Sequence, residues 1–307
     1  MLELDSAGNI IGEKQAQAVF KTDTSAAITG LADGTALTNA TRYFELYFDS
    51  TDHGSKQPSA NTKLPVSGTL IAYGDETGNI YVLENKGDGA CGAPRYLDNL
   101  SGNYARGLAP DDFNGDGFAD LIAGSAATGK IYYFQNTADG TNTFYQKVQI
   151  GYVSAGWDTG MASGDFNNDG KKDFIVSGDA PSSLSLFTGN GDGTFTQTSI
   201  PAPSGSSQLR NKTAADFNKD GKLDMVIANY SDGAVYLSTG NGDGTFKTPV
   251  KIGTSGNDPY GVVAGDFDGD GETDIIANTG GTGLAYLFKG NGDGTFGARR
   301  DFPMPGS

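Results

Sequence analysis

The sequence predicts an all-β chain folded as a β-propeller of four-stranded antiparallel blades, six or seven in number, with an acidic loop between the first and second strands of four of them. Three observations predict it: a long repeat, the composition, and the strand grammar inside each repeat. The repeat comes first. DFNGDGFADLIAG from Asp112 returns as DFNNDGKKDFIVSG from Asp165, DFNKDGKLDMVIAN from Asp216 and DFDGDGETDIIANTG from Asp266, at steps of 53, 51 and 50 residues. A second motif keeps the same beat: GNGDGTF at 189–195, 240–246 and 290–296, with looser copies from Lys86 and Thr137 and a faint echo, ADGT, at 32–35. Composition agrees. Gly supplies 47 of 307 residues and only 19% are charged, so long helices are not expected.

Within one unit, runs such as DFIVSG, SLSLFTGN and TFTQTSI are short, rich in β-branched and aromatic residues, and bounded by Gly, Asn, Asp or Pro. That is the pattern of strands. The Asp-Gly pair of the second motif tolerates the positive φ that a tight antiparallel reversal needs. Four strands per unit of about 51 residues are then expected, with units packed side by side around an axis. At that spacing 307 residues make six blades. The repeats occupy residues 64–307, and residues 1–63 form a β-rich segment that serves either as a degenerate blade or as ring-closing strands.

The acidic loops carry the most specific chemistry. Counting from the first Asp, positions 1, 3, 5 and 9 are Asp112, Asn114, Asp116 and Asp120; Asp165, Asn167, Asp169 and Asp173; Asp216, Asn218, Asp220 and Asp224; and Asp266, Asp268, Asp270 and Asp274. Every side-chain donor is oxygen, which selects a hard cation. Gly at position 6 permits the turn that would bring in the position 7 carbonyl of Phe118, Lys171, Lys222 or Glu272. Four side chains, a carbonyl and water suit calcium better than the strict octahedron of magnesium, so about four Ca2+ ions are expected. The loops are not EF-hands. Position 12 is Ala123, Val176, Ile227 or Ala277, where a bidentate Glu would be required. One such loop could be a solvated Asp-rich turn; four copies with matched donors favour metal. The corresponding stretch of the preceding unit, 61–69, presents Lys63 and Pro65, and no metal is expected there. Phe113, Phe166, Phe217 and Phe267 at position 2 alternate away from the donors, toward the packing between blades, which makes the metals structural.

The pairing of D-x-[DN]-x-D-G-x-x-D with a Gly-rich hairpin about 20 residues later resembles the FG-GAP or VCBS repeat. This is the repeat of the calcium-binding propeller of integrin α subunits, of some fungal lectins and of many bacterial surface proteins. The resemblance covers about residues 64–303. It leans toward seven blades, and it implies an extracellular or cell-surface location.

Charge and motifs exclude other classes. With 21 basic against 37 acidic residues, net charge −16 and a pI near 4.3, nucleic acid and anionic membrane are disfavoured partners. No apolar run is long enough to insert in a membrane, and the first ten residues lack a signal peptide's basic and apolar regions. Cys91 stands alone, which removes any intrachain disulfide; it occupies the place of Phe195, Phe246 and Phe296 and reads as a small core residue. One histidine, His53, sits in a polar stretch and reads as a surface residue, and no G-x-S-x-G, H-E-x-x-H or P-loop is present.

The connections entering each acidic-loop strand read SGNYARG, SAGWDTG, SGSSQLRN and SGNDPYG. They place Tyr104, Arg106, Trp157, Asp158, Arg210, Asp258 and Tyr260 at the end opposite the metal loops. Rings that stack and polar groups that orient could hold a glycan or peptide there; the competing reading wedges the rings between adjacent blades. The function expected is non-catalytic: a calcium-stabilised propeller for extracellular adhesion or recognition, of carbohydrate or a cell-surface protein. Two alternatives stand beside it. One is the accessory propeller of a polysaccharide-acting enzyme, and the other a structural subunit of a surface assembly or fibre that self-assembles through edge strands.

Overall fold

The computed structural model describes residues 70–75, 77–84, 91–100, 104–141, 143–156, 160–178, 183–206, 208–254, 259–279 and 284–303, together with the backbone of four N-terminal strands. Those four are β1 (Glu3–Leu4) paired with β2 (Ile10–Gly12), and β3 (Ala18–Thr22) paired with β4 (Arg42–Leu46). A three-stranded sheet follows: β5 (Leu70–Gly74), β6 (Asn79–Glu84) and β7 (Arg95–Asn99).

Four sheets of four strands come next, each an antiparallel meander in chain order. They are β8 (Ala105–Asp111), β9 (Asp120–Ser125), β10 (Lys130–Phe134) and β11 (Val148–Tyr152); β12 (Met161–Gly164), β13 (Asp173–Gly178), β14 (Ser183–Gly189) and β15 (Phe195–Ile200); β16 (Leu209–Ala215), β17 (Asp224–Asn229), β18 (Ala234–Ser238) and β19 (Val250–Thr254); and β20 (Pro259–Gly265), β21 (Asp274–Thr279), β22 (Leu284–Phe288) and β23 (Arg300–Pro303). A single 3-10 turn, Tyr230–Asp232, is the only helical element among the described residues, so none is long and apolar enough to cross a membrane.

Second strands run apolar without alternation because neighbouring sheets cover both of their faces. All six residues of β9, of β13 and of β17 are buried. Outermost strands are more polar: β11 and β19 expose Val148, Gln149 and Tyr152, and Val250, Lys251 and Thr254. First strands lie side by side, with β8 against β5 and β12, and β16 against β12 and β20. This is how blades pack around an axis. Of the N-terminal strands, β3 lies against β20 and β4 against β5.

Each of the four gaps between the sheets from β5–β7 to β20–β23 is filled by one apolar cluster. In the last three of these gaps the acidic-loop Phe and the hairpin Phe meet, across the junction and not within one unit. Phe113 stands edge-on to Phe195 at 5.6 Å between ring centres, Phe166 is tilted against Phe246 at 5.8 Å, and Phe217 is edge-on to Phe296 at 5.8 Å. The backbone repeats the link: Gly193, Gly244 and Gly294 donate their amides to the carbonyls of Phe113, Phe166 and Phe217 at 3.3, 3.0 and 3.0 Å. These glycines have φ of +80°, +80° and +79°, which a side chain would strain. The two motifs therefore share one period: the first three acidic loops are each latched by the hairpin of the next blade.

Phe166 is 2% exposed, whereas Phe267, the copy in the last sheet, is half-buried. Phe166→Ala is expected to cost about 3–5 kcal/mol in urea unfolding and Phe267→Ala markedly less. Equal costs would contradict the latch.

One expectation needs correction. Cys91 is half-buried rather than enclosed in a core. Residues 1–63 as a closing unit, His53, the stretch 61–69, Trp157, Asp158 and Asp258 lie outside the residues whose side chains are described.

Candidate cation loops and a candidate recognition face

Each acidic loop joins the first strand of a sheet to its second, and its carboxylates organise their own backbone. In the first loop Asp112 accepts from the amides of Gly115, Asp116 and Gly117 at 2.8, 3.1 and 2.8 Å, and Asp116 accepts from Phe118 at 2.9 Å. The bonds from the position 5 and 6 amides to the first aspartate, and from the position 7 amide to the position 5 aspartate, recur on Asp165 and Asp169, on Asp216 and Asp220, and on Asp266 and Asp270. Position 3 accepts the position 5 amide in every loop, through Asn114, Asn167, Asn218 and Asp268 at 3.0, 3.0, 2.9 and 3.3 Å. Position 6 takes φ of +86°, +82°, +79° and +87° at Gly117, Gly170, Gly221 and Gly271, which accounts for glycine there.

Position 9 is different in kind. Asp120, Asp173, Asp224 and Asp274 are fully buried. Each accepts the position 2 amide at 3.0–3.2 Å and, through its other oxygen, the amide of Asn136, Gly189, Gly240 or Gly290 at 2.8–2.9 Å. One carboxylate thus ties the loop to the strand that leads into the hairpin. Burial pushes these carboxyls up, with like-charged neighbours adding to it and the backbone amides opposing: Asp120 to about 7, Asp173 and Asp224 to about 6, and Asp274 in the same direction. Asp120 carries an added donor, the Tyr133 hydroxyl at 2.7 Å.

The donor set fits a hard divalent cation. It is all oxygen, it concentrates negative charge around a buried carboxylate, and in the fourth loop oxygens of Asp266, Asp268 and Asp274 lie within 4.8 Å of one another. Phe118, Lys171, Lys222 and Glu272 occupy position 7, directly after the positive-φ glycine.

At the other end of the strands the structure separates residues that the sequence grouped. Arg106, Arg210 and Tyr260 belong to β8, β16 and β20 and not to the connecting loops. Arg210 is 6% exposed, too enclosed to meet a ligand directly. Its guanidinium lies over the rings of Tyr230, at 4.5 Å, and Tyr260, at 5.1 Å, and those rings meet edge-on at 5.9 Å. Tyr230 belongs to the sheet of β16–β19 and Tyr260 to the next, so the arginine stiffens a junction with two half-buried tyrosines on it. The sequence reading missed Tyr230; its signal was an aromatic in the turn NYSDG between second and third strands. Tyr104 is half-buried with φ of +69°, and the Arg106 guanidinium lies 4.7 Å from its ring centre. Such a φ is uncommon for a bulky residue and marks a constrained position.

A family model described as an FG-GAP-like repeat matches residues 112–176, 165–227 and 216–277, together more than half of the chain. Among solved structures the chain is similar to a lectin of Agrocybe aegerita, studied for specific recognition of non-reducing terminal N-acetylglucosamine, at 21% identity and TM-score 0.53 over 78% of this chain and 64% of that one. It is also similar to a protein from Lactobacillus plantarum, at 15% identity and TM-score 0.52 over 76% of this chain and 68% of that one. The chain therefore spans less than two thirds of the lectin's length, and both likenesses concern the fold. No curated protein matches in sequence.

Proposed function

Because the chain belongs to the FG-GAP-like repeat family, we propose that it is a non-catalytic, calcium-stabilised β-propeller acting outside the cell in recognition or adhesion, with carbohydrate as its first candidate ligand and a surface protein as its second. The observation that carries this reading is the division of labour between the two ends of the strands. One end gathers the acidic loops, and the other presents Tyr104, Tyr230 and Tyr260 half-buried and braced by arginines. Rings held rigid at a blade junction offer a stacking surface for a sugar at little cost in side-chain entropy. The lectin of similar fold supports placing carbohydrate first.

In this reading calcium is held by positions 1, 3, 5 and 9 and by the position 7 carbonyl of each loop, and supplies positive charge where the carboxylates repel one another. The chain's own residues do the rest. The position 9 aspartate fixes the loop to its own sheet, and in the first three loops the position 2 Phe locks it to the next. Extracellular modules work with weakly held calcium because the ion is abundant outside cells, which favours that compartment. Residues 1–63, whose strands β3 and β4 lie between the last sheet and the first, complete a ring of six units.

Tyr104→Gly tests the recognition face. Removing the ring relaxes a left-handed backbone, so the variant should melt no lower than the parent protein. On a glycan array in calcium it should lose at least about tenfold in binding, the scale of one stacked ring and its cation partner. Unchanged binding would move the ligand to another surface.

A further inference from the structure

The fourth acidic loop departs from the others in its charges. It holds carboxylates at positions 1, 3, 5, 7 and 9, where each of the first three has Asn at position 3 and no acid at position 7. In the second and third loops position 7 is Lys171 or Lys222, whose aliphatic stem lies against the second hairpin glycine, Gly191 or Gly242. In the fourth the carboxylate of Glu272 takes that place over Gly292. A lysine has been exchanged for an acid.

The missing cation is restored from elsewhere. Lys289, directly after β22, sets its ammonium between Asp268 and Asp270, bonding the first and lying 2.8 Å from the second. The corresponding positions of the other three acidic-loop sheets hold Gln135, Thr188 and Thr239, none of which carries a charge. Lys219 of the neighbouring loop reaches Glu272 at 2.6 Å. In the third loop, Lys222 stays 3.9 Å from Asp220, too far for a hydrogen bond.

We propose that Lys289 is a resident counter-cation of the fourth loop, one that neutralises positions 3 and 5 when metal is scarce and that calcium must displace in order to bind. The proposal rests on the calcium reading of these loops. Asp268 and Asp270 cannot turn the same oxygens to an ammonium and to a metal ion, so the two cations compete. Because the lysine is partly exposed, each pairing is worth little, and the competition amounts to a shift of roughly three- to tenfold in calcium affinity. The gain is a loop that keeps its shape without metal, in the sheet that meets the N-terminal strands.

The test compares the parent protein with K289Q, following the amide resonances of Gly117, Gly170, Gly221 and Gly271 through a calcium titration. Each of these amides donates to the first aspartate of its own loop, so each reports one site. In K289Q the Gly271 midpoint should move to lower calcium by about three- to tenfold while the other three stay in place. With chelator K289Q should melt below the parent protein, and saturating calcium should close the gap. A Gly271 midpoint that does not move, or a variant as stable as the parent in chelator, overturns the proposal. If no glycine amide moves in either protein, the calcium reading itself fails and takes this proposal with it; if they move but K289Q changes nothing, only the role of Lys289 is lost.

Discussion

Removing calcium with a chelator is expected to lower the melting temperature by roughly 20 °C relative to the calcium-saturated protein. An ion at about a hundred times its dissociation constant stabilises the folded state by about 2.7 kcal/mol per site, so four sites give about 11 kcal/mol. For a domain of this size each kcal/mol moves the midpoint by about 2 °C or somewhat more. The damage should be global, because the loops are not peripheral. Each is tied to its sheet by a fully buried aspartate, and three are bonded through a carbonyl to the hairpin of the next blade. Calorimetry in EDTA and in calcium measures the difference. A shift under about 3 °C would mean that these are turns which happen to be acidic.

Without metal, stability should fall as pH rises from 5 to 8. An unfolded aspartate titrates near 4, whereas burial lifts Asp120 to about 7 and Asp173 and Asp224 to about 6. Between those values the folded chain holds protons that the unfolded chain has released, so it is favoured on the acid side and loses that advantage through pH 6–7. The melting temperature in EDTA should drop by about 5 °C or more across this range. Calcium should oppose the trend. The ion needs the same carboxylates ionised, so the melting-temperature gain on adding calcium should grow over the pH range in which the apo protein weakens. Asp173→Asn, a neutral side chain of the same shape, should flatten the EDTA profile and remove part of the calcium gain. A profile in EDTA that rises toward pH 8 would show that these carboxyls are not held neutral by burial.

The sequence by itself determined the all-β class, the four-stranded unit, the position of every acidic loop and the chemistry of its donors. Those properties are local: a run of DFIVSG or an Asp-Gly turn has its conformation and its donors set within a few residues, and the period repeats the message. Tertiary structure decided what each unit does to its neighbour. Phe113 gives no sign in sequence that its partner is Phe195 of another sheet, Arg210 none that it is enclosed by Tyr230 and Tyr260, and Lys289 none that it stands between Asp268 and Asp270. These contacts depend on how one twisted sheet lies against another, and that geometry comes from the packing of side chains distant along the chain.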